Sequence, residues 1–576
     1  MNTKTGAFDR FDAQAEVVVV GGGPAGMTAA IAASRRASEV VVLEKDAATG
    51  GTAAKGAGGF WILNNRFMRE QGIDDPRQDA LRLMARLSRP ALYDPGGDTL
   101  GLPAREYALI ETYYDRGTAV LETLEELGLR VTQQSPVGAP FPDYHALLPE
   151  NKATVGRLLF SLRPDDQVGD GRELLGQLRR RAENAGAAIM LDHRVLDCIT
   201  DASGAVIGVS AGRPDGSVVR VGASRGVVFA SGGFTHNPEL RRNFLHGPTF
   251  GGCATHTNTG DFVPIASRLG AQLGNMNYAW QAPIVLEWFL ENRPGAQASF
   301  SVAGDSMLFV NKYGRRVVNE KAPYNELAEV FYQWDIPRAE YPNLLLMMIW
   351  DERCAERFGS PILGNPIPPA DGDKSHVVSG QTLDDLAHAV DARLAHLGPR
   401  AAGVLLATGF VENLEGSIRR FNEHAQAGDD PDQLRGQSPV DLAYNGPAQP
   451  DNPGNPTMFP LSARGPYHAT IMAPGTLDTK GGPVINEHGQ ILDWNGEPIP
   501  GLFGAGNCIA SPAAQAYWSG GGTIGPAITF GWVAGESAAL RANRKTDARK
   551  RRDMTSGGNT RPSGATSAGD PIEASR

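Results

Sequence analysis

A short glycine-rich turn offers the first recognisable chemistry in this chain of 576 residues. Residues 21–26 read GGGPAG, which fits the pattern GxGxxG, and Glu44 ends the next apolar stretch. Gly21 allows a tight turn, Gly23 lets a diphosphate approach the backbone at a helix N-terminus, and Gly26 lets the helix pack closely on the strand. The Glu44 carboxylate would accept hydrogen bonds from ribose hydroxyls. The spacing therefore predicts a dinucleotide site.

The residues after Glu44 favour FAD over a nicotinamide cofactor. Lys45 follows directly, and Gly50-Gly51-Thr52 comes shortly afterwards. This run resembles the FAD-binding continuation of the fumarate reductase and ketosteroid dehydrogenase superfamily, and its glycines would let the chain pass under a flavin. No histidine occurs between Glu44 and Pro142, so the covalent histidyl attachment of succinate dehydrogenases is not available in this segment. We therefore expect FAD to bind non-covalently.

A second flavin-binding segment is predicted near the C-terminal end of the chain. Residues 501–507 read GLFGAGN and resemble the GLxxAGN signature of the same superfamily. Thr523 and Ile524 then begin an apolar helix to about Leu540, whose N-terminus would stabilise negative charge at the N1–C2=O edge of reduced flavin. The expected FAD-binding residues are Gly21, Gly23, Ala25, Gly26, Glu44, Lys45, Gly50, Gly51, Thr52, Gly58, Val195, Ala230, Gly506, Asn507, Thr523 and Ile524.

Several segments, in order along residues 16–540, together resemble the bacterial 3-ketosteroid Δ1-dehydrogenases. They are GGT to WILNN at 50–65, FPDYH at 141–145, GRRVVNEKAPY at 314–324, PG with TKGG at 474–482, and YWSGGGTIGPAITFG at 517–531. The resemblance implies an FAD-dependent oxidoreductase acting on CH–CH groups. It also implies an α/β fold, in which a Rossmann-type FAD-binding domain carries an inserted α+β catalytic domain.

The same resemblance implies a reaction and gives roles to three tyrosines. The reaction is 1,2-desaturation of a 3-ketosteroid or a similar cyclic ketone, with a hydride passing to flavin N5 and the α-proton to a base. The Tyr517 hydroxyl and the Gly521 backbone N–H would hold the ketone oxygen, where enolate charge develops. Tyr324 would be the base, and Tyr144 would support it by hydrogen bonding, because a phenol with a pKa of about 10 is a poor base at neutral pH.

Departures from the family pattern leave other functions open. Trp518 stands where the family has proline and could shrink the pocket, which would suit smaller ketones such as cyclohexanone derivatives. Tyr517 and Ser519 could form an acid–base pair, as in a Δ4-(5α)-type steroid dehydrogenase. A fumarate reductase would bind two carboxylates through arginine, but residues 511–521 contain no Arg, Lys or His. The tyrosines beside the flavin segments disfavour a non-enzymatic flavin-binding scaffold.

The predicted FAD-binding residues need a parallel sheet to position them. Residues 16–20 read as a buried strand, an alanine-rich helix follows to about Arg36, and 39–43 is a second strand. Helical spacing recurs over much of 78–128 and over 172–185. We expect an N-terminal tail at 1–15, an FAD-binding domain at 16–280 and 462–545, an inserted substrate domain at 281–461, and a disordered tail at 546–576.

Composition argues against several other classes of protein. The net charge is −10 and no basic stripe is present, so nucleic acid is not an expected partner. The four cysteines lie far apart, which favours a reducing, cytoplasmic setting, and no His, Asp and Glu group has metal-ligand spacing. No apolar run is long enough to span a bilayer. The expected partners are a cyclic ketone and an external electron acceptor, either a quinone or O2.

Overall fold

The computed structural model of the protein describes residues 11–136, 138–292, 299–300 and 302–544, without the side chain of Leu363. The tail expected at 546–576 lies outside the described residues, as do positions 1–10 of the expected N-terminal tail. None of the helices in the described ranges is both long enough and apolar enough to cross a bilayer.

The glycine turn joins the first strand and the first helix of a parallel sheet. Strand β1 (Ala13–Val20) leads into helix α1 (Pro24–Ser34), and β2 (Val40–Leu43) returns parallel to β1 with Val40 opposite Val17. The four valines at 17–20 are all buried, as expected for a parallel strand that is covered on both faces. The α/β fold class with a Rossmann-type N-terminal unit is confirmed.

The larger sheet brings together strands that are far apart in the sequence. Besides β1 and β2 it contains β6 (Ala188–Met190), β7 (Arg194–Thr200), β8 (Val206–Gly212), β9 (Val218–Phe229), β18 (Gln490–Leu492) and β19 (Pro498–Gly504). Its main order is β18-β19-β9-β1-β2-β6, and β7 and β8 extend it from β9. Strands β1, β9 and β19 are parallel neighbours, so the centre of the sheet needs residues from both ends of the chain.

A second sheet carries the inserted part of the chain. It is built from β10 (Gly251–Gly252), β12 (Ala279–Val285), β13 (Met307–Val310), β14 (Leu346–Asp351), β15 (Val378–Gly380) and β16 (Tyr467–Thr479). The long strand β16 pairs with β10, β12, β14 and β15. This sheet therefore runs past both ends of the segment 281–461 that the sequence suggested, and those boundaries stay predictions.

Smaller sheets and helices complete the structure. Strands β3 (Phe60–Trp61), β4 (Val131–Thr132) and β5 (Leu158–Ser161) form one small sheet, and β11 (Leu273–Gly274) pairs with β17 (Gly482–Pro483). The other helices are α2 (Arg66–Glu70), α3 (Arg77–Ser88), α4 (Ala104–Glu126), α5 (Gly171–Asn184), α6 (Pro238–Phe244), α7 (Phe262–Arg268), α8 (Leu286–Leu290), α9 (Tyr324–Ala328), α10 (Glu352–Phe358), α11 (Leu383–Leu397), α12 (Phe410–Ala427), α13 (Pro439–Asn445) and α14 (Ile524–Leu540). Short 3-10 turns lie at Gly51–Lys55, Glu329–Tyr332, Ile362–Gly364, Gly398–Ala401 and Gly506–Cys508.

Helix α14 packs directly on α1 because two of its residues have no side chain. A Cβ atom at Gly531 would lie 2.3 Å from the Ala25 carbonyl oxygen, and one at Gly535 would lie 2.2 Å from the Ala29 carbonyl oxygen. Only glycine permits such a close approach of two helix backbones. The contact holds the N-terminus of α14 beside the glycine turn.

A buried group of charges holds the inserted part together. The Glu320 carboxylate accepts hydrogen bonds from Arg316 Nε at 2.8 Å and from Arg435 Nη1 at 2.9 Å, and Arg316 also pairs with Asp430 at 2.8 Å. Glu320 and Arg435 are both fully buried. The pairing of buried opposite charges fixes the segment before Tyr324 against the segment before α13.

Candidate active site

One cavity is lined by residues from both parts of the chain. It encloses about 1560 Å³ of space, including open solvent at its mouth. Of the expected residues, the cavity is lined by Gly21, Gly23, Ala25, Glu44, Lys45, Gly51, Thr52, Gly58, Tyr144, Ala230, Tyr324, Gly506, Asn507, Tyr517, Gly521, Thr523 and Ile524. The expected residues Gly26, Gly50 and Val195 do not belong to this lining.

The glycine turn has the shape that a bound diphosphate needs. Gly21 has a φ of +109°, and a Cβ atom there would lie 2.4 Å from the Ala230 carbonyl oxygen. A Cβ at Gly26 would lie 1.9 Å from the Gly21 carbonyl oxygen, so these two glycines serve the turn itself. A Cβ at Gly23 would meet nothing within 4 Å. Gly23 therefore borders open space at the N-terminus of α1, where FAD phosphates fit.

The acidic residue that follows β2 is held in place by backbone groups. Glu44 Oε2 accepts a hydrogen bond from the Gly22 N–H at 2.6 Å, and Oε1 accepts one from the Asp46 N–H at 2.9 Å. Burial raises the pKa of the Glu44 carboxyl above its ordinary value. Beside it, Lys45 Nζ lies 3.0 Å from Asp261 Oδ2 and is thereby neutralised. This places Glu44 at the cavity wall, where an adenosine ribose would lie.

A buried aspartate that the sequence analysis missed connects several walls of the FAD cradle. Asp478, at the end of β16, accepts hydrogen bonds from the Gly233 N–H (3.0 Å), Thr235 Oγ1 (3.0 Å), Asn258 Nδ2 (2.6 Å) and Asn507 Nδ2 (3.1 Å). Burial raises its pKa, although these donors oppose the rise. The TKGG motif next to it was the signal in the sequence, but a motif does not reveal partners so distant in the chain.

The C-terminal segment closes the cradle from the other side. Gly506 has a φ of +73°, and a Cβ there would come 3.0 Å from the Ala25 Cβ. Asn507 Oδ1 accepts a hydrogen bond from Trp280 Nε1 at 2.9 Å. Thr523 and Ile524 lie at the start of α14 and line the cavity, so the N-terminus of a 17-residue helix faces it. The partial positive charge of that end favours an electron-rich group.

The loop before α14 holds one peptide in a fixed orientation. Gly521 has a φ of +78°, and a Cβ there would lie 2.7 Å from the Phe60 Cα and 2.8 Å from Leu158 Cδ1. Its carbonyl oxygen accepts hydrogen bonds from the Trp61 N–H at 3.1 Å and the Gly525 N–H at 3.0 Å. Only glycine fits this position, which borders the cavity next to the tyrosines.

Four buried tyrosines form one cluster in the cavity, and the sequence analysis identified three of them. The Tyr324 hydroxyl donates to the Tyr517 hydroxyl oxygen at 2.6 Å. The Tyr444 hydroxyl donates to the Tyr144 hydroxyl oxygen at 2.7 Å. The Tyr144 ring stacks on Tyr517 and meets Tyr324 edge-on, both with ring centres 5.6 Å apart. We refer to Tyr144, Tyr324, Tyr444 and Tyr517 as the tyrosine cluster.

The cluster strongly disfavours negative charge. Burial raises the pKa of Tyr144, Tyr324 and Tyr444 above the ordinary value, and the neighbouring phenols add to the rise for Tyr144 and Tyr324. Burial also raises the pKa of Tyr517, but only to about 12, because hydrogen bonds to Tyr324 and Thr523 oppose the rise. With no substrate bound, all four phenols are therefore protonated at neutral pH.

A buried ionic network positions Tyr144 against the loop of Gly521. Arg157 Nη1 binds Asp143 Oδ2 at 2.6 Å, and Arg157 Nη2 binds Asp75 Oδ1 at 2.6 Å, with these side chains almost fully buried. Ser519 Oγ donates to Asp143 Oδ1 at 3.1 Å and accepts from the Tyr144 N–H at 3.3 Å. The segment of Tyr144 and the segment of Tyr517 are thus locked together, a link that no motif in the sequence showed.

A buried lysine supports the segment just before Tyr517. Lys480 Nζ donates to the carbonyl oxygens of Gln515 at 2.9 Å and Ala516 at 2.8 Å, and it lies 4.3 Å from the centre of the Trp280 ring. The Trp280 ring in turn meets Tyr517 edge-on at 5.3 Å. Burial lowers the pKa of Lys480 to about 7. Lys480 therefore fixes the backbone that carries Tyr517.

Two residues that the sequence analysis placed beside the substrate point elsewhere. Trp518 is 1% exposed, and its Nε1 donates to Ser88 Oγ at 3.0 Å inside the core. The expectation that Trp518 shrinks the pocket is not supported, because its ring packs on Trp61 and Tyr113 and does not line the cavity. Ser519 is committed to Asp143, so it does not pair with Tyr517.

One possible metal-ligating group lies outside the cavity. His424, Asp430 and Asp432 are close enough to share an ion, within the described ranges. Asp430 already pairs with Arg316 at 2.8 Å, and Asp432 pairs with Arg420. These carboxylates are therefore neutralised by arginine.

A family comparison matches most of the chain. The model of the FAD binding domain family matches residues 16–524. This range includes both halves of the cradle, from the glycine turn to the start of α14. FAD is thus the cofactor of this chain, as the residues that follow Glu44 and the segment 501–507 predicted.

The chain is also similar to characterised dehydrogenases along most of its length. It is 32% identical to the 4-oxocyclohexanecarboxylate 2-dehydrogenase of Sinomonas cyclohexanicum, over 86% of this chain and 87% of that one. It is 29% identical to the 3-oxosteroid 1-dehydrogenase of Mycobacterium tuberculosis, over 86% and 93%. A solved structure of the 3-ketosteroid Δ1-dehydrogenase of Sterolibacterium denitrificans shares the fold, with a TM-score of 0.76 at 24% identity, over 91% of this chain and 99% of that one.

Proposed function

The chain belongs to the FAD binding domain family, and from this membership and the tyrosine cluster we propose that it desaturates the carbon–carbon bond next to the ketone of a neutral cyclic ketone. The observation that carries the proposal is the hydrogen bond between Tyr324 and Tyr517, which both line the FAD cavity. It brings one proton acceptor and one proton donor to the same place, and α,β-desaturation needs both.

The ketone oxygen is held by two donors. The Tyr517 hydroxyl and the N–H of Gly521, a residue whose own carbonyl oxygen accepts from Trp61 and Gly525, would donate to it. Within the cluster, burial raises the pKa of Tyr517 only to about 12. Its phenol is therefore a stronger hydrogen-bond donor to a developing enolate than the other buried tyrosines. Holding charge at preorganised donors stabilises the enolate-like transition state.

The α-proton passes to Tyr324. When the ketone oxygen accepts a hydrogen bond from the Tyr517 hydroxyl, the Tyr517 oxygen still accepts from Tyr324, so the Tyr324 oxygen is held beside the α-carbon. Tyr324 first loses its own proton to solvent at the open side of the cavity. The phenolate oxygen then accepts the α-proton, and the C–H electron pair remains on the substrate. Bound FAD would accept the hydride that leaves the β-carbon. The residues that hold FAD are Gly23 at the diphosphate, Glu44 at the ribose, and Asn507 with the start of α14.

The charges around the tyrosine cluster favour a neutral substrate. Among the described residues that line the cavity, the charged side chains are Glu44, Lys45 and Asp478, and Lys45 is paired with Asp261. A carboxylate beside the tyrosines would therefore lack a cationic partner, which is costly in a buried site. On this ground we favour a 3-ketosteroid or an uncharged cyclohexanone over 4-oxocyclohexanecarboxylate and over fumarate.

The electron acceptor and the location belong to the same proposal. The reduced flavin of a ketone desaturase must pass its electrons to an acceptor, for which we propose a quinone or O2. The described cysteines are all free thiols, and Cys253, Cys354 and Cys508 are buried. Free thiols are stable in a reducing compartment, which supports a cytoplasmic location.

One set of assays tests the proposal. Holoprotein kept free of O2 is mixed with a 3-ketosteroid, cyclohexanone, 4-oxocyclohexanecarboxylate or succinate, and flavin bleaching is followed. We expect a neutral ketone to bleach the flavin and to lose two hydrogens, as read by mass spectrometry. Dithionite-reduced holoprotein is then mixed with fumarate, and no reoxidation is expected. Rapid, saturable reoxidation by fumarate would replace the desaturase with a fumarate reductase, and preference for the carboxylated ketone would remove the neutral-substrate proposal.

A further inference from the structure

The two hydrogen bonds of the tyrosine cluster both cross between the two parts of the chain. Tyr324 and Tyr444 come from the inserted part, on α9 and α13, while Tyr144 and Tyr517 come from the part that carries the FAD cradle. Tyr324 pairs with Tyr517, and Tyr444 pairs with Tyr144. Tyr444 has no role in the reaction proposed above, yet it is 5% exposed and lines the same cavity.

Helix α13 holds Tyr444 in a defined place. Ser438 Oγ accepts a hydrogen bond from the Val440 N–H at the start of the helix. Asp441 Oδ2, one turn before Tyr444, accepts from Asn319 Nδ2 at 3.0 Å and thereby joins α13 to the segment that leads to Tyr324. At the end of the helix, Asn445 Nδ2 donates to the Pro456 carbonyl at 2.8 Å. Helix α13 is thus held by hydrogen bonds before and after Tyr444, and these contacts fix the place of its side chain.

The direction of the hydrogen bond has a chemical consequence for Tyr144. Since the Tyr144 oxygen accepts the Tyr444 proton at 2.7 Å, the proton of Tyr144 itself is left to point at another acceptor. The ring of Tyr324 lies edge-on to Tyr144 at 5.6 Å. A hydroxyl that accepts a hydrogen bond becomes a stronger donor, because successive hydrogen bonds polarise one another. A hydrogen bond between Tyr144 and Tyr324 raises the pKa of Tyr144 and lowers that of Tyr324, so Tyr144 is its donor. The donors therefore run in the order Tyr444, Tyr144, Tyr324, and Tyr324 donates in turn to Tyr517.

We propose that Tyr444 is a positioning residue, which orients the Tyr144 hydroxyl as a donor to the Tyr324 oxygen and so stabilises the ionised form of the base. This inference rests on the proposed function for its role in catalysis. Its physical content, an influence of Tyr444 on the ionisation of Tyr324, does not depend on which substrate is used. The hydrogen bond from Tyr144 opposes the burial that raises the pKa of Tyr324.

Few other charged groups face the base among the residues that the structure describes. Within those residues, the titratable side chains whose rings contact Tyr324 are Tyr144, Tyr444 and Tyr517. Glu326, on the same helix, lies 3.9 Å from Nε2 of His145, which adjoins Tyr144 in the sequence. Lys480 lies behind Tyr517, beyond the Trp280 ring. A shift in the titration of Tyr324 after removal of the Tyr444 hydroxyl is therefore assigned to the donor chain, since these other groups are unchanged.

The test measures Tyr324 directly. Holoprotein is prepared with a fluorinated tyrosine, whose phenol is more acidic, and the fluorine resonance of Tyr324 is assigned by its absence in Tyr324→Phe. We expect Tyr444→Phe to raise the pKa of this phenol by about one unit, which is a tenfold change in its ionisation. Tyr467→Phe is the matched control, because the Tyr467 hydroxyl donates to the Ser462 carbonyl outside the cavity lining. An unchanged Tyr324 titration in Tyr444→Phe would refute the proposal.

The pH profile of flavin reduction by the ketone gives the catalytic side of the test. In Tyr444→Phe we expect about tenfold slower reduction at neutral pH, with recovery at higher pH as Tyr324 ionises. A loss that is the same at every pH would show a structural role only, and would overturn the proposal. If the wild-type flavin is not reduced by any cyclic ketone while the fluorine titration still shifts, the proposed function fails and the link between Tyr444 and Tyr324 stands.

A double variant shows whether Tyr444 acts through Tyr144. If it does, Tyr144→Phe already removes the end of the donor chain, so Tyr144→Phe/Tyr444→Phe should be no slower than Tyr144→Phe alone. Losses that multiply would mean that the two hydroxyls act independently and would contradict the proposal. Tyr144→Phe serves as the second variant, with the same expected Tyr324 shift, should Tyr444→Phe fold poorly.

Discussion

At the scale of single residues, the proposed reaction depends on individual hydroxyl groups of the tyrosine cluster. Tyr324→Phe removes one oxygen from the cluster and leaves the ring that packs against Tyr144 and Phe300. Because the base would be lost while the FAD cradle is intact, we expect normal flavin content and reduction by the ketone that is slower by about a hundredfold or more. Stopped-flow absorbance of the flavin, in the absence of O2, measures this rate.

Tyr467→Phe serves as the control for Tyr324→Phe, since it also removes one buried phenol oxygen. Its flavin reduction should match that of the wild type. If Tyr324→Phe is reduced at nearly the wild-type rate, then Tyr324 is a packing residue and another group takes the α-proton.

The sequence predicted the residues whose neighbours in the chain form a motif. Tyr324 and Tyr517 were identified because the NEKAPY and YWSGGG segments accompany them. Tyr444 was not identified, because its partner Tyr144 lies 300 positions away and nothing adjacent marks it. Trp518 shows the opposite error. Its position in a motif predicted that it lines the pocket, whereas its indole N–H donates to Ser88 in the core.

At the scale of elements, the glycines of the turn between β1 and α1 have two different roles: some allow close packing, and Gly23 borders the space for the ligand. Gly23→Ala adds a methyl group that meets no protein atom within 4 Å, at a backbone φ of −80° that alanine tolerates. The methyl group would occupy the space of the FAD diphosphate. We therefore expect an apoprotein as stable as the wild type but with at least tenfold weaker FAD binding, as measured by fluorescence titration of the apoprotein with FAD.

Gly416→Ala gives a matched control for Gly23→Ala. Gly416 lies inside α12, where alanine is the better helix former, so FAD binding should be unchanged and stability slightly higher. FAD binding by Gly23→Ala at the wild-type affinity would mean that the diphosphate does not pass this turn.

A second prediction at this scale concerns the segments joined by Glu320. Burial would raise the pKa of Glu320, but Arg316 and Arg435 outweigh it and lower the pKa from 4.5 to about 2. The stabilisation is therefore complete above pH 4.5 and is lost as the pH falls through about 2. We expect Glu320→Gln to lower the free energy of unfolding by about 3 kcal/mol at pH 7, with the difference shrinking below pH 4.5. Urea unfolding at several pH values measures it.

The control for Glu320→Gln is Glu352→Gln. Glu352 pairs with His468 at 2.7 Å, but its side chain is half exposed, so the loss should stay below about 1 kcal/mol. A Glu320→Gln difference that is the same at pH 7 and at pH 3 would rule out the ionised form of Glu320 as the source of stability.

The first elements were predictable, and most of the second sheet was not. β1, α1 and β2 form through short-range patterns, namely four valines, a glycine turn and an alanine-rich helix. β16 runs from Tyr467 to Thr479 and pairs with strands taken from positions 251 to 380, so its place in the inserted sheet depends on contacts that local sequence does not encode. The predicted boundary at 461 fell just before this strand.

At the scale of the whole molecule, the proposed FAD cradle combines segments that are far apart in the chain. The cradle combines the turn at 21–26, Glu44, Asp478 and the segment at 506–524. Since FAD binds the folded state, we expect added FAD to stabilise the apoprotein by about 3 kcal/mol at a hundredfold excess over the dissociation constant. Thermal unfolding at increasing FAD concentration measures this, and a transition temperature independent of FAD would contradict it.

The attachment of FAD is tested on the same preparation. Lys45, Asp46 and the glycine-rich segment that follows include no histidine that could bind FAD covalently. Acid precipitation should therefore release all of the yellow chromophore as free FAD. Colour that remains in the protein pellet would indicate a covalent bond.

The parallel arrangement of β1, β9 and β19 also determines when this protein can acquire its cofactor during synthesis. β1 pairs with β2 and β9, but the end of β9 at 227–229 gains its partner only when β19 is made, and α14 begins only at Ile524. A ribosome-bound chain must therefore carry this exposed edge of β9 while the residues between β9 and β19 are synthesised. We expect chains truncated at residue 495 to bind no FAD and to depend on chaperones, and FAD binding by such a truncated chain would contradict this order of assembly.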